Sequence, residues 1–164
     1  MTQVNHTVIL DTDFLSAFLK IERLPLIREF YQVETVYIPP AVYQEVAAGE
    51  QLPRLLAVPW IQVASPNAVQ LLLNDDALRG LGAGEQEAIS LALEIQGSVL
   101  LINDNQARRL ATSIGVSVVN IPAFLSGCKI AGLLNTEAMS DLITSLQQKD
   151  YYRFRQDVLD LLMS

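Results

Sequence analysis

The chain alternates short apolar runs with segments whose apolar residues recur at helical spacing. "TVIL" (residues 7–10) reads as a strand stopping at Asp11, and "FLSAFLK" (14–20) starts a helix. Pro25 opens a second helix, "PLIREFYQ" (25–32), since its missing N–H is one that a helix start leaves unpaired anyway. "TVYI" (35–38) is the next strand, and "AVYQEVAA" (41–48) is a helix halted by Gly49. "WIQVA" (60–64) is a third strand, with Ser65-Pro66 as cap and first turn of another helix. The second half repeats the alternation. A helix over 84–97 stops at Gly97, and "SVLLI" (98–102) is a strand apolar enough to be covered on both faces. A loop and helix over 103–115 end at Gly115, "VSVVNI" (116–121) is the fifth strand, and Pro122 opens a further helix. Residues 136–164 read as two amphipathic helices with Asp150 as a cap between them.

Strands alternating with helices through short loops predict an α/β fold. It is a single three-layer domain with a central, mostly parallel sheet, helices on both faces and a helical C-terminal tail. No linker or repeat divides the 164 residues, so one domain over 1–164 is expected, its core at 7–133 and a helical extension at 134–164.

Composition narrows the chemistry. Hydrophobic residues make up 51%, enough for a real core, yet no apolar stretch approaches the ~20 residues of a membrane helix. The N-terminus has no signal-peptide pattern, and the one cysteine, Cys128, has no internal disulfide partner, so the cytoplasm is the expected compartment. With one cysteine and one histidine, His6, a zinc site of the usual ligands is excluded. A metal here is held by oxygen, which points to Mg²⁺ or Mn²⁺. The net charge of −7 disfavours nucleic acid as a total, but a carboxylate cluster serving one site accounts for part of that excess.

Ligand sites of open parallel sheets lie beyond the carboxyl ends of the strands. Asp11 follows the first strand directly, and Asp104 follows "SVLLI" after Asn103. Glu45 lies in the helix after the second strand, and Glu85 and Glu87 lie in the first turn of the helix opening at Gly84. Singly, each has an ordinary reading: a solvated helix residue, an N-cap, or acids favoured by a helix dipole. Together they come from four separated segments and converge on one edge. Such a group repels itself unless some members stay protonated or a divalent cation joins them. A cation so held activates a water and steadies a leaving oxygen in phosphodiester cleavage.

These segments resemble the PIN-domain family over residues 7–133. "VILDTDFLSAF" is similar to the family's first strand and acid, and "IPPAVYQEV" to the segment carrying the second acid, Glu45. "GEQEAISLALE" is similar to the helix of the third, and "LLINDNQARRLATSIGV" to the strand and loop of the fourth, Asp104. The "EAISLA" pattern puts the third acid on Glu87, with Glu85 close by as the other choice and Asp13 as a further ligand. The resemblance implies a Mg²⁺- or Mn²⁺-dependent ribonuclease cutting single-stranded RNA. It further implies, as for many relatives, the toxin of a toxin–antitoxin pair, homodimeric and blocked by an antitoxin protein. The sequence departs from the family at Ile102, where a hydroxyl residue is common, at Asn103 and Asn105, where extra acids occur, and at Asp13, often Asn or Ser.

Arg108 and Arg109 stand one turn beyond Asp104 and are candidates for a substrate phosphate, with Lys20 a weaker one. Tyr151, Tyr152 and Phe154, interleaved with Arg153 and Arg155, can stack bases, but such a stripe more commonly packs a terminal helix. Trp60 and Cys128 read as core, and His6 as surface. Two other readings compete with the nuclease: a catalytically silent PIN-like module binding RNA or protein, and a phosphatase of the haloacid-dehalogenase kind. The second is suggested by Asp11 and Asp13 in a D-x-D, against which Phe14 stands where that family has Gly.

Overall fold

The computed structural model describes residues 6–67 and 76–164. Five parallel strands form one sheet: β1 (Thr7–Leu10), β2 (Val36–Ile38), β3 (Ile61–Val63), β4 (Ser98–Leu101) and β5 (Ser117–Val119), in the order β3-β2-β1-β4-β5. The helices are α1 (Thr12–Lys20), α2 (Pro25–Tyr31), α3 (Pro40–Ala47), α4 (Leu52–Leu56), α5 (Asp76–Arg79), α6 (Ala83–Glu94), α7 (Asn105–Ser113), α8 (Ile121–Ile130), α9 (Thr136–Lys149) and α10 (Gln156–Met163). The three-layer α/β expectation holds, and every strand pairing is parallel.

β1 is central because both its faces are apolar. Val8 and Leu10 belong to one core, and Ile9 to the other. β4 alternates likewise, Val99 and Leu101 against Leu100 and Ile102, so burial follows the period of two that a strand imposes. The first core packs Phe14 and Phe18 of α1 beneath Phe124 of α8, with Leu142 and Leu146 of α9 and Leu162 of α10 around them. The Phe14 and Phe18 rings stack at 5.2 Å and meet the edge of Phe124 at 5.8 and 5.5 Å. The second core joins Leu78 of α5 to Ile89 and Ala92 of α6 and to Ala107 and Ala111 of α7.

The predicted elements differ from those found mainly at their ends. The strand expected over 60–64 shortens to 61–63. Trp60 lies just before it, half-buried beneath the Arg28 guanidinium, which sits 4.7 Å from its ring centre. α4 and α5 are additional. Pro53 in the first turn of α4 is the local signal for the former. The helix expected after Ser65-Pro66 falls largely outside the described residues. Cys128 is buried in the first core, which pushes its thiol up to about 12, and His6 is exposed. Among the described residues no helix is long and apolar enough to cross a membrane.

Running outward from β1 the chain lays down β2 and β3 on one side. It then returns to lay down β4 and β5 on the other, so the direction of winding reverses between β1 and β4. In open sheets that reversal opens a crevice at the carboxyl ends. Leu10 pairs with Leu101 there, and the next residues of both strands carry the acids.

Candidate active site

Asp11 follows β1 and caps α1. Its backbone N–H donates to the Leu101 carbonyl at 3.0 Å, which draws it between two neighbouring strands. It is only 2% exposed, and its Oδ1 is buried without any hydrogen-bond partner. Burial pushes its carboxyl up to about 7, against an opposing pull from the Thr12 amide, and the charges of Glu85, Asp13 and Glu45 raise it further.

Glu45, exposed on α3, is held from two sides. Thr12 Oγ1 donates to its Oε2, and the Gly84 backbone N–H donates to its Oε1 at 3.1 Å. Glu85, in the first turn of α6, is pushed up to about 7, first by burial and then by Asp104, Asp13 and Glu45. Asp13 is also raised, by desolvation and then by Asp150, Asp104 and Glu45, with Lys20 opposing. Asp104 caps α7 as an ordinary N-cap does, its Oδ2 accepting from the Ala107 amide at 2.8 Å. The starts of α1, α6 and α7 thus all border the acids, and their positive dipole ends offset part of the repulsion.

Glu87 stands differently from the expectation that ranked it above Glu85. Its Oε2 accepts from the Ala41 amide at 2.6 Å, so this carboxylate serves the first turn of α3. The glutamate whose charge weighs on Asp11 is Glu85. Helical geometry explains the split. Residues two apart on a helix lie on well-separated sides, so the two side chains cannot both face Asp11.

A cleft of about 690 Å³ is lined by Asp13 and Asn103 and by the strap 150–155, between α9 and α10. Asn103 fastens the strap, its Oδ1 accepting from the Tyr152 hydroxyl at 3.1 Å and from the Ile121 amide at 3.3 Å. Asp150, at the end of α9, pairs with Lys20 at 2.8 Å. Arg108 lines the cleft, whereas Arg109 is exposed and does not. Ile102 is buried in the second core, so the departure at that position turns away from the site. The hydrogen bonds of Thr12 to Glu45, Gly84 to Glu45 and Tyr152 to Asn103 join residues 33 to 49 apart, and no local spacing in the sequence signals them.

A family model described as "PIN domain" matches residues 7–164. The chain belongs to the PIN-domain family. Among curated proteins none matches the sequence. The match runs past residue 133 and takes in α9, the strap and α10, so the tail lies within the family's own extent. The fold is of the nuclease type, and PIN domains are generally metal-dependent nucleases. The donor set of this PIN domain fits a hard divalent cation in kind: every candidate ligand is a carboxylate, and one buried oxygen, Asp11 Oδ1, has no other partner. Among the described residues no three acids are drawn together as a ready cage. Hydrogen bonds from backbone amides hold Glu45, Glu87 and Asp104.

Proposed function

We propose that this PIN domain is an endoribonuclease that cleaves single-stranded RNA in the cytoplasm, using Mg²⁺ or Mn²⁺ held by Asp11, Glu85, Asp104 and Glu45, with Asp13 as a further ligand. The observation that carries the reading is the buried, unpartnered Asp11 Oδ1 facing other carboxylates, an arrangement that costs stability unless a cation joins it. When bound, the cation supplies an activated water and charge neutralisation at the phosphate. Thr12 and Gly84 orient Glu45, and Glu87, by holding the start of α3, positions the same helix from behind.

The finer reading is a toxin of a toxin–antitoxin pair, homodimeric and blocked by an antitoxin protein. Support for the dimer is the exposed apolar surface at Ile130 of α8 and Leu161 of α10, adjacent helices that also share the hydrogen bond from Lys129 Nζ to the Leu161 carbonyl. A second reading, a silent RNA- or protein-binding module, is favoured by the lack of a ready carboxylate cage among the described residues. The phosphatase alternative is set aside by the PIN-domain match over 7–164.

The test is cleavage of a pool of short single-stranded RNAs by the wild type and Asp11→Asn, with Mn²⁺ and with EDTA. Cleavage that needs both Asp11 and metal is the expected result, and a folded wild type that leaves every RNA intact would favour the silent module. Growth arrest on expression of the wild type but not of Asp11→Asn tests the toxin.

A further inference from the structure

We infer that the strap at 150–155 is a binding subsite for single-stranded RNA, holding a base on Tyr151 and backbone phosphates on Arg108 and Arg153, next to the acids. As to which reaction the bound strand meets, this rests on the nuclease reading above.

Charge is the first ground. The chain carries 11 lysines and arginines against 18 acids, yet Lys20, Arg108, Arg153 and Arg155, four of the eleven, line this one cleft. Lys20 is matched by Asp150 and Arg155 by Asp157 at 2.9 Å, but among the described residues Arg108 and Arg153 have no carboxylate within ion-pair distance. Arg108 is tethered through Nη2 to Asn105 at 2.6 Å, while its Nε is buried with no partner. A guanidinium anchored at one corner with donors left over is suited to a phosphate oxygen. On a protein this acidic, a cleft lined by four basic residues against Asp13 and Asp150 is a local exception.

The aromatic residues supply the second ground. Tyr152 and Phe154 are half-buried, pack edge to face at 4.6 Å, and are pinned through the Tyr152 hydroxyl, so they form a fixed wall. Tyr151 does the opposite. It is 82% exposed, and its backbone φ of 55° lies in the left-handed region that a bulky residue enters only when its surroundings force it. A large ring kept out of the core, on strained backbone, beside unpaired arginines, has the form of a stacking platform for a base. Asp13 lines the same cleft, so a strand lying on the strap comes up to one of the proposed metal ligands.

The experiment is fluorescence anisotropy with a labelled decauridylate carrying 2′-O-methyl groups, which cannot be cut, in EDTA across a salt series. Tyr151→Gly relaxes the left-handed backbone and keeps the fold. It is expected to weaken binding about tenfold with an unchanged salt slope, and Tyr151→Phe to restore it. Arg153→Gln is expected to weaken binding and to flatten the salt slope by about 0.7, the share of one phosphate on a single strand. Arg23→Gln, at an exposed position outside the cleft lining, leaves both unchanged. Wild-type affinity and slope in both strap variants would overturn the subsite, as would a wild type that does not bind the probe. Because cleavage is not read, a protein that binds in this pattern and never cuts refutes the nuclease and leaves the subsite standing.

Discussion

The backbone amide of Gly84 donates to Glu45 Oε1 at 3.1 Å, and a Cβ built on Gly84 would lie 2.8 Å from the other oxygen of the same carboxylate and 2.9 Å from Thr12 Oγ1. Gly84 therefore leaves open, between α6 and α3, the space that the Glu45 carboxylate and the Thr12 hydroxyl occupy.

Gly84→Ala separates fold from function. Alanine favours the helix by up to about 1 kcal/mol, and the atoms it meets are side-chain ends that can swing aside. Thermal stability is expected to stay within about 1 kcal/mol of wild type. Cleavage is expected to fall by roughly a hundredfold, since Glu45 and Thr12 lose their seat. A variant that melts and cuts like wild type would show that Glu45's position is irrelevant.

The two glutamates of α6 are expected to respond oppositely. Glu85→Gln removes a charge facing Asp11 and abolishes cleavage without lowering the melting temperature. Glu87→Ala leaves the Ala41 amide without its acceptor and costs about 1–2 kcal/mol, with partial activity retained. Paired denaturation and cleavage assays decide it, and the reverse pattern would return the third acid to Glu87.

Protonation gives a signed expectation. The folded Asp11 carboxyl is raised from 3.8 to about 7, so between those values the native state binds more protons than the unfolded one. Stability from this group is present at low pH and is lost as pH rises through about 7. Without metal, Asp11→Asn should melt above wild type near pH 8 and level with it near pH 4. Mn²⁺ competes with the proton, so its stabilisation of the wild type should be larger near pH 8 than near pH 5. Equal Mn²⁺ shifts at both would remove Asp11 from the ligand set.

Lys20→Met tests the contact between α1 and the end of α9. The pair is half-shielded, with side chains 33% and 15% exposed, and its loss leaves Asp150 facing Asp13. The expected cost lies between the ~1 kcal/mol of an exposed pair and the ~3 kcal/mol of a buried one. It should be read by denaturant midpoint and recovered in part by also changing Asp150 to Asn.

What the sequence reveals here follows from the range over which each feature is determined. β1 and β4 are legible because burial on both faces writes an unbroken apolar run, and Asp11 and Asp104 are legible because they end those runs. α4 and α5 are too short for a periodic pattern to declare itself. The local pattern ranks Glu87 above Glu85, whereas what each glutamate touches depends on how α6 meets α3. That contact is made by Gly84, a residue whose importance lies in what it lacks. The tail divides the two readings of its aromatic stripe: Tyr152 and Phe154 pack, as the pattern favours, while Tyr151 next to them does not.

Synthesis runs through the chain in one direction, and the pairing of Leu10 with Leu101 gives that order a meaning. A ribosome that has emitted β1 has made Asp11, but the strand that will carry Asp104 beside it is still untranslated. The strap that walls the cleft comes later again. Non-local parallel pairing of this kind is among the slow events of folding. A half-made copy of this PIN domain therefore lacks Asp104 beside Asp11, and on the nuclease reading proposed above the messenger being read is spared the product it encodes until translation has nearly finished.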